Sequence, residues 1–411
     1  MEFIKRSKIH FNLEIKVIAL ITLINRMGAV VVPFLSKYLN ETLGFTYSQI
    51  GWIMVCFGIG SLVGTFASGR LSDIIGSYKV MIFSLFTSGI IFFVLKHVKS
   101  FEAICVIVFL LTTIADMYRP AMMLTVNNYV SKEMKLQSLS LIRSASNLGL
   151  VFGPVIGGLI ISYWNYDVLF WVDGVTCLLA ISIFALLVKE RKIPFDLNLT
   201  KINLDKLAPI KDIPFILNWV IAMITGYLFF QVFTILPLFQ KNAFHIKDVT
   251  TGMLFGFSGL LFILFEVRLI NKMQIKRVNE TLAIAIGLTL FSLGYFSLYC
   301  IHKSWVLWLF MAFMTFGNML TFSYASGLVL KRSHKNHEGI FMSAFQMSYG
   351  FAHVLSSKTG LSIVQDIGYQ ANWLINSIIS LLGVGLTYYM YLILKKEQIS
   401  LKEKIAEKLF G

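Results

Sequence analysis

Long apolar runs separated by short polar connections follow one another along the whole chain. About 20 residues at a helical rise of about 1.5 Å per residue cross the hydrocarbon core of a bilayer, where a helix satisfies its own backbone hydrogen bonds. Because the runs are continuous rather than alternating in polarity, they predict an all-α membrane protein and argue against a β-barrel. We expect twelve transmembrane helices, at about 14–38, 47–69, 79–95, 101–130, 137–163, 168–188, 214–240, 248–269, 279–300, 304–330, 338–366 and 370–395.

The composition agrees with this class. Hydrophobic residues make up 57% of the 411 positions and charged residues 14%, whereas a soluble domain is about a quarter charged. The first run follows Lys5, Arg6 and Lys8, but its length and the lack of a small-residue cleavage site indicate a retained helix rather than a signal peptide. The four cysteines lie singly in apolar runs and the sequence has no nucleotide-binding loop, so we expect no metal, no cofactor and no direct use of ATP.

The net charge of +15 is distributed unevenly over the two predicted faces of the membrane. With both termini on one side, that side holds 26 of the 36 Lys and Arg residues, the opposite side holds six, and the remaining four lie inside predicted spans, away from their ends. This asymmetry follows the positive-inside rule and places both termini in the cytoplasm. The basic charge therefore reflects topology, and we expect membrane lipids but no nucleic acid among the partners.

The longest polar connection, 189–214, divides the predicted spans into two sets of six. After the last span, Leu401, Ile405 and Leu409 share one helical face among lysines, which suits either a helix lying on the cytoplasmic leaflet or a solvated helix. The expected domains are an N-terminal six-helix bundle over 1–188, a cytoplasmic linker over 189–213, a C-terminal six-helix bundle over 214–395 and a cytoplasmic amphipathic tail over 396–411.

A short internal repeat supports this division. The stretches "GRLSDIIGSYKV" (69–80) and "VRLINKMQIKRV" (267–278) align at a constant offset of 198 residues, with Arg, Leu and Val coinciding and Asp73 facing Asn271. Each stretch joins the second predicted span of its half to the third. A duplicated six-helix unit would place its copies there.

The first copy has a glycine and aspartate skeleton formed by Gly69, Leu71, Asp73 and Gly76, with Lys79 just beyond. This skeleton resembles the loop after the second span of the major facilitator superfamily. The family usually has basic residues where this chain has Ile74, Ser77 and Tyr78. The resemblance therefore lies in the skeleton rather than in the charges.

A second pattern, "GLVFGPVIGG", lies in predicted span 5. It is similar to the motif associated with the antiporters of the same family, although close helix packing alone also explains its glycines. The stretches "NRMGAVVVPFL" (25–35) and "YRPAMM" (118–123) are similar to bacterial drug-efflux-like members. The fixed positions of the span 5 motif are Gly149, Gly153, Pro154, Gly157 and Gly158.

The resemblance implies two six-helix bundles that alternately expose a central site to the two membrane faces. It also implies that Asp73 latches the start of span 11, near residues 338–340, on the cytoplasmic face. Helix N-termini carry partial positive charge, which favours such a contact. A solvated turn that obeys the positive-inside rule is the alternative.

Charges inside spans cost about 2.5–3.5 kcal/mol on insertion scales and are therefore candidate functional groups. Arg26 lies midway along span 1, and Asp116 and Arg119 lie three residues apart midway along span 4. If spans 1 and 4 line the cavity, as the resemblance implies, these residues form a net-positive cluster that binds an anionic group or holds a titratable carboxylate. The alternative is an internal ion-pair network. Val108 stands where the family has a cavity arginine, and Arg119 is its conjectured substitute.

Other polar groups inside the spans are weaker candidates. Arg143 lies near enough to a helix end to snorkel, Glu266 suits a gate or a proton site, and Lys358 lies deeper than snorkelling explains. Neutral polar residues among aromatics in the second half suit either an amphipathic substrate or helix–helix hydrogen bonds. These are Gln231, Asn318, Gln346 and Tyr349.

The sequence thus predicts a monomeric secondary transporter in a bacterial cytoplasmic membrane, and not an enzyme. We expect it to export small amphipathic organic molecules in exchange for protons. The alternatives are proton-driven uptake of a metabolite or peptide, and flipping of a lipid-like substrate. Two other classes fit less well. A membrane-embedded transferase needs a catalytic cluster at one face, and a receptor or scaffold tolerates loss of the central charges.

Overall fold

The computed structural model describes residues 11–130, 134–191, 211–333 and 338–410, and these residues form helices joined by short connections without a β-strand. The α-helices are α1 Leu13–Gly28, α2 Leu35–Glu41, α3 Tyr47–Ile75, α4 Ser77–Leu95, α5 Phe101–Ala115, α6 Tyr118–Asn127, α7 Lys135–Tyr163, α8 Asp167–Leu187, α9 Ile213–Thr234, α10 Leu236–Phe244, α11 Asp248–Ile275, α12 Glu280–Cys300, α13 Val306–Arg332, α14 Glu338–Asp366 and α15 Tyr369–Phe410.

Eleven stretches of the described chain are long and apolar enough to cross a membrane. They correspond to eleven of the predicted spans. The remaining one, span 11, is the 29-residue helix α14, which is long enough but not among the eleven. Gln346, His353 and Lys358 along α14 lower its apolar character. The count of twelve transmembrane helices stays a prediction.

Three predicted spans are interrupted rather than continuous. Span 1 breaks between α1 and a 3-10 turn at Val32–Phe34, span 4 between α5 and α6, and span 7 between α9 and α10. A proline follows each break within a few residues, and proline removes the backbone donor that would bond the carbonyl four residues earlier. Span 10, the continuous helix α13, contains no proline. The prolines concerned are Pro33, Pro120 and Pro237.

Helix α7 continues through Pro154 and packs closely against α1. A Cβ atom at Gly149 would lie 2.4 Å from Arg26 Cβ and 3.0 Å from the Met27 backbone nitrogen. At Gly153 a Cβ atom would lie 2.9 Å from the Arg26 carbonyl oxygen. The glycines predicted in span 5 therefore let the two backbones meet beside Arg26.

The described contacts group into two compact units. The first is Met1–Val32 with Ile59–Asp196, and the second is Pro33–Gly58 with Leu197–Gly411. The hairpin Pro33–Gly58 therefore groups with the second unit, although it lies inside the predicted bundle 1–188. The core of the first unit includes Ile15, Val80, Ala121 and Phe184, and that of the second includes Ile221, Leu288, Phe345 and Met390.

The structure describes only part of the predicted linker and of the predicted tail. Residues 192–210 of the predicted linker lie outside the described residues. Helix α15 continues through the predicted boundary at 396 as one 42-residue helix. The side chains of Leu401, Ile405 and Leu409 lie outside the description, so the predicted membrane-surface face stays a prediction.

Candidate functional site

The three charged residues predicted to cluster in the first unit do come together. The Asp116 carboxylate lies near the Ser61 hydroxyl on α3 and interacts electrostatically with Arg26 on α1 and Arg119 on α6. Arg119 in turn interacts with Arg26 and with Arg143 on α7. We call these residues, Arg26, Asp116, Arg119 and Arg143 with Ser61, the charged cluster. Arg143, predicted to snorkel, belongs to it.

The position of Asp116 follows from the break in span 4. Asp116 ends α5, and its backbone nitrogen donates to the Thr112 carbonyl at 3.0 Å. Its own carbonyl has no helical donor because Pro120 has no N–H group. Two carbonyls beside the break accept a hydroxyl in addition to a backbone N–H group, from Ser84 to Ile114 at 2.6 Å and from Ser68 to Met117 at 2.7 Å.

The charged cluster carries three guanidinium groups and one carboxylate. Arg119 and Arg143 are exposed, and Arg26 and Asp116 are half-buried, so the cluster lies at a surface of the unit rather than in its core. The excess positive charge favours a negatively charged group placed among the arginines. Loss of the Asp116 charge would make the cluster still more positive.

Asp173 stabilises the break in span 1, a role that the sequence did not reveal. Its carboxylate is buried and accepts hydrogen bonds from the backbone nitrogens of Val30 at 2.8 Å and Val31 at 3.3 Å. These amides follow the end of α1, where the Val30 nitrogen also donates to the Gly28 carbonyl at 2.7 Å. Asp173 therefore fixes the backbone four residues after Arg26.

In the second unit, Gln231 joins two helices instead of lining an open surface. It is fully buried on α9, and its carbonyl oxygen accepts from Asn372 at 2.9 Å and Asn376 at 2.7 Å, both on α15. Its nitrogen donates to the Asn376 oxygen at 3.2 Å. Of the two roles considered for Gln231, this geometry matches helix–helix hydrogen bonding.

The other neutral candidates of this unit lie on α13 and α14. Asn318 is half-buried and Gln346 is exposed. Tyr349 packs against the rings of Phe322 and Phe345, and its buried hydroxyl has no hydrogen-bond partner among the described residues. A buried hydroxyl without a partner is costly, so Tyr349 is suited to a polar group of a substrate or to water.

The second unit also contains a buried ion-pair network that sequence reasoning missed. Lys37 on α2 is only 2% exposed and pairs with Asp248 and, at 3.7 Å, with Glu41. Glu41 also pairs with Lys241 on α10 at 2.6 Å. We call these four residues the outer-end network, because they lie on the predicted outer side. The sequence indicates only that Lys37 lies near a helix end, since its partner Asp248 is 211 residues away.

Lys358, predicted to lie deeper than snorkelling explains, contacts the hairpin Pro33–Gly58. Its ammonium donates to the Ser48 hydroxyl at 2.9 Å and lies 4.9 Å from the centre of the Trp52 ring. Five residues earlier on α14, His353 packs against the rings of Phe57 and Phe230. These contacts tie α14 to α3 inside the second unit.

The loop motif is organised as a tight turn. Gly76 adopts a positive φ of 92° between α3 and α4, which glycine permits at no steric cost, and Asp73 and Lys79 are exposed. Gly69 of the same motif has no described atom within 4 Å of where its Cβ would lie. The latch from Asp73 stays a prediction, because the side chains of residues 338–340 lie outside the described ones.

The second copy of the motif has a longer connection. Helices α3 and α4 are separated by Gly76 alone, whereas residues 276–279 separate α11 from α12, so the offset of 198 does not extend through the turn. Arg277 takes the positive φ, at 49°. Glu266, the other acid of this region, is buried on α11 and has an interaction partner.

Among the described residues, no group of three His, Cys, Asp or Glu side chains is arranged to hold a metal ion. The candidate residues described above supply guanidinium and ammonium groups, carboxylates, amides and hydroxyls. Such groups bind and orient molecules, and a carboxylate also exchanges protons.

Solved structures with similar folds are transporters. The structure matches the nucleoside transporter NupG with a TM-score of 0.76 at 16% identity, over 92% of this chain and 99% of that one. It matches a peptide transporter of the POT type with a TM-score of 0.79 at 13% identity, over 95% and 96% of the two chains. At these identities the likeness establishes the fold.

Relatives that match in sequence are also named as transporters or efflux pumps. An uncharacterized MFS-type transporter of Methanocaldococcus jannaschii is 21% identical over 369 residues, which cover 88% of this chain and 93% of that protein. A homolog of the multi-drug resistance efflux pump PmrA from Lactococcus lactis is 26% identical over 137 residues, about a third of each chain. The family's sequence model, described as Major Facilitator Superfamily, matches residues 18–357. The chain therefore belongs to the major facilitator superfamily, whose members are secondary transporters and not enzymes.

Proposed function

We propose that this chain exports small amphipathic organic molecules in exchange for protons, with the charged cluster as the coupling site. The observation that carries the proposal is the meeting of Asp116 with Arg26 and Arg119 at the break of span 4. A carboxylate that shares its surroundings with a substrate-binding group links proton binding to substrate binding.

Two observations support export. The glycines of α7 bring its backbone against α1 beside Arg26, and this is the motif that resembles the antiporters of the family. The partial relative from Lactococcus lactis is named as a multidrug efflux pump homolog. In this mechanism Asp116 exchanges a proton for the substrate, and Arg26 and Arg119 hold the carboxylate between turnovers.

One observation favours a second candidate, uptake of an organic anion together with a proton. The charged cluster has more guanidinium groups than carboxylates, so a proton on Asp116 strengthens the attraction for an anion instead of weakening it. By linkage, the anion then raises the proton affinity of Asp116, and the two ligands bind together. An experiment must therefore measure whether proton binding and substrate binding oppose each other, as in exchange, or favour each other, as in cotransport.

Alternating access requires contacts that form and break at each end of the molecule. We propose the outer-end network as the contact that holds the predicted outer side closed. Lys37 supplies its centre, and Asp248 and Glu41 supply its acids. Lys358 and its contacts with Ser48 and Trp52 reinforce the same closure from α14.

Transport by purified protein in liposomes tests the proposal, with a panel of fluorescent organic anions and cations and a pH-sensitive dye inside. Export by exchange predicts that an inside-acid gradient accelerates accumulation, and proton–anion cotransport predicts acceleration by an outside-acid gradient. Asp116→Asn should remove the effect of either gradient while leaving substrate exchange without a gradient. Lys16→Gln, an exposed charge on α1 outside the charged cluster, is the matched control. A rate that ignores both gradients in the parent protein rejects proton coupling.

A further inference from the structure

Helix α14 has accessible side chains on two different faces. Met347, Phe351 and Leu355 are exposed and follow one another at intervals of one helical turn, so they form an apolar stripe suited to contact with lipid. His353 lies about 160° around the helix from Phe351, since each residue turns the helix by about 100°. The face that carries His353 is therefore not the face of the apolar stripe.

His353 is a polar side chain without a polar partner. It lies near the middle of α14, Glu338–Asp366, and is half-buried. Its ring nitrogens keep accessible surface, and they form no hydrogen bond within the described part of the chain. Hydrocarbon does not satisfy such a group, so this face of predicted span 11 meets water or a solute.

Gln346 lies on the same face of α14 as His353. It precedes His353 by two helical turns, which is about 10 Å along the helix. Gln346 is exposed and likewise forms no hydrogen bond among the described residues. The face thus offers two accessible polar side chains, and neither carries a permanent charge.

Two phenyl rings flank the imidazole of His353. Between ring centroids, Phe57 on α3 lies 5.0 Å away and Phe230 on α9 lies 4.4 Å away. Both phenyl rings are half-buried and keep accessible surface. A Cβ atom at Gly58 would lie 2.9 Å from His353 Nδ1, so the absence of a side chain there lets α3 approach the imidazole. We call His353, Gln346, Phe57 and Phe230 the aromatic patch.

From this arrangement we propose that the aromatic patch binds an uncharged aromatic part of the transported molecule, an inference that rests on the proposed transport of amphipathic organic molecules. A flat ring packs against the two phenyl rings. A hydroxyl or amide substituent on that ring hydrogen-bonds His353, because a neutral imidazole has one donor and one acceptor. Gln346 serves a second polar substituent two turns away. The members of the patch supply no counter-charge, which favours a neutral substituent over a charged one.

Equilibrium dialysis of the full-length protein in a neutral detergent tests the patch. The probes are β-naphthol and β-methylnaphthalene, which has a methyl group in place of the hydroxyl, and the reference chamber holds protein-free micelles. Near neutral pH the naphthol is uncharged, as a phenol is. The parent protein should bind β-naphthol saturably and about fivefold more tightly than β-methylnaphthalene, the factor expected for one hydrogen bond.

The variants separate the hydrogen bond from the ring contacts. His353→Phe keeps an aromatic ring and should abolish the preference for β-naphthol, with the affinity for β-methylnaphthalene changed less than about twofold. His353→Gln keeps a hydrogen-bonding amide and should retain part of the preference. Phe230→Leu should weaken both probes about fivefold, and Phe351→Leu, in the apolar stripe, is the matched control and should weaken neither. The two leucine variants test the patch independently of how His353→Phe folds.

A preference for β-naphthol that disappears in His353→Phe supports the proposal. Three results overturn it. In the first, the parent protein shows no saturable binding of β-naphthol. In the second, His353→Phe keeps the preference of the parent. In the third, Phe351→Leu weakens binding as much as Phe230→Leu does. Dialysis uses no gradient, so absent binding with an intact gradient response rejects this patch alone, and intact binding without a gradient response rejects only the proposed proton coupling.

Discussion

Replacing Lys37 with glutamine removes the ammonium at the centre of the outer-end network and keeps a polar side chain of similar length. In the parent protein Lys37 is 2% exposed and pairs with Asp248 and Glu41. The variant leaves Asp248 without its partner, whereas Glu41 keeps Lys241. The substitution therefore destabilises the closed arrangement through one orphaned carboxylate.

The size of the effect follows from the exposure of that carboxylate. Removing one partner of a fully buried pair costs about 3–5 kcal/mol. Asp248 is 18% exposed, so water recovers part of its hydration, and we expect about 2 kcal/mol. At 1.4 kcal/mol for each tenfold, the equilibrium between closed and open networks shifts by roughly 30-fold toward open.

The accessibility of Ser36 reports this shift, because its side chain is 0% exposed beside Lys37. With Ser36→Cys as the labelling site, the rate of reaction with a membrane-impermeant maleimide follows the open population. We expect Lys37→Gln to raise the rate roughly 30-fold. The native cysteines to be replaced by alanine beforehand are Cys56, Cys105, Cys177 and Cys300.

Two further variants decide whether the reasoning is correct. Lys241→Gln removes a charge that is 46% exposed, and such pairs contribute about 0.2–1 kcal/mol, so its rate should rise less than about fivefold. Adding Asp248→Asn to Lys37→Gln removes the orphaned charge and should restore much of the protection. An unchanged rate in Lys37→Gln, or an equal rise in Lys241→Gln, refutes the role given to Lys37.

Two more predictions concern helix packing. Gly149→Ala should lower the free energy of unfolding of the purified protein by about 1–3 kcal/mol, because the new Cβ would lie 2.4 Å from Arg26 Cβ. Gly69→Ala, with open space around the new Cβ, should be neutral or stabilising. Equal effects of the two substitutions would contradict the packing argument. Gln231→Leu should lower the free energy of unfolding by about 1–3 kcal/mol, because it leaves Asn372 and Asn376 with unpaired buried amides. Adding Asn376→Leu to Gln231→Leu should recover part of this loss. A loss of substrate affinity that persists in the double variant would instead indicate that Gln231 contacts the substrate.

The sequence was sufficient for the helices because burial in lipid imposes long apolar runs. The predicted 79–95 and 168–188 correspond to Ser77–Leu95 and Asp167–Leu187, with ends within two residues. The sequence underestimated the length of helices that continue beyond the apolar run. The predicted 370–395 is part of Tyr369–Phe410, since a helix continues into polar sequence when nothing there breaks it.

The charged cluster was predicted in part. Asp116 and Arg119 are close in sequence, and the family resemblance supplied the neighbouring helix that carries Arg26. Ser61 and Arg143 were not assigned to the cluster, because a single sequence does not say which faces of α3 and α7 turn toward span 4. Lys37 was missed for the same reason, as a buried ion pair between distant segments leaves no local pattern.

The breaks in spans 1, 4 and 7 connect these observations. Lipid cannot satisfy backbone groups that a break leaves unpaired, and at the breaks of spans 1 and 4 side chains from neighbouring helices bond to the backbone. The Asp173 carboxylate accepts from the amides after α1, and the hydroxyls of Ser68 and Ser84 add hydrogen bonds to the Met117 and Ile114 carbonyls beside Asp116. A local arrangement of polar groups then already exists inside the membrane. The Asp116 carboxylate lies beside this break, and its charge is balanced by Arg26 and Arg119, so the charged cluster and the break of span 4 occupy the same part of the first unit.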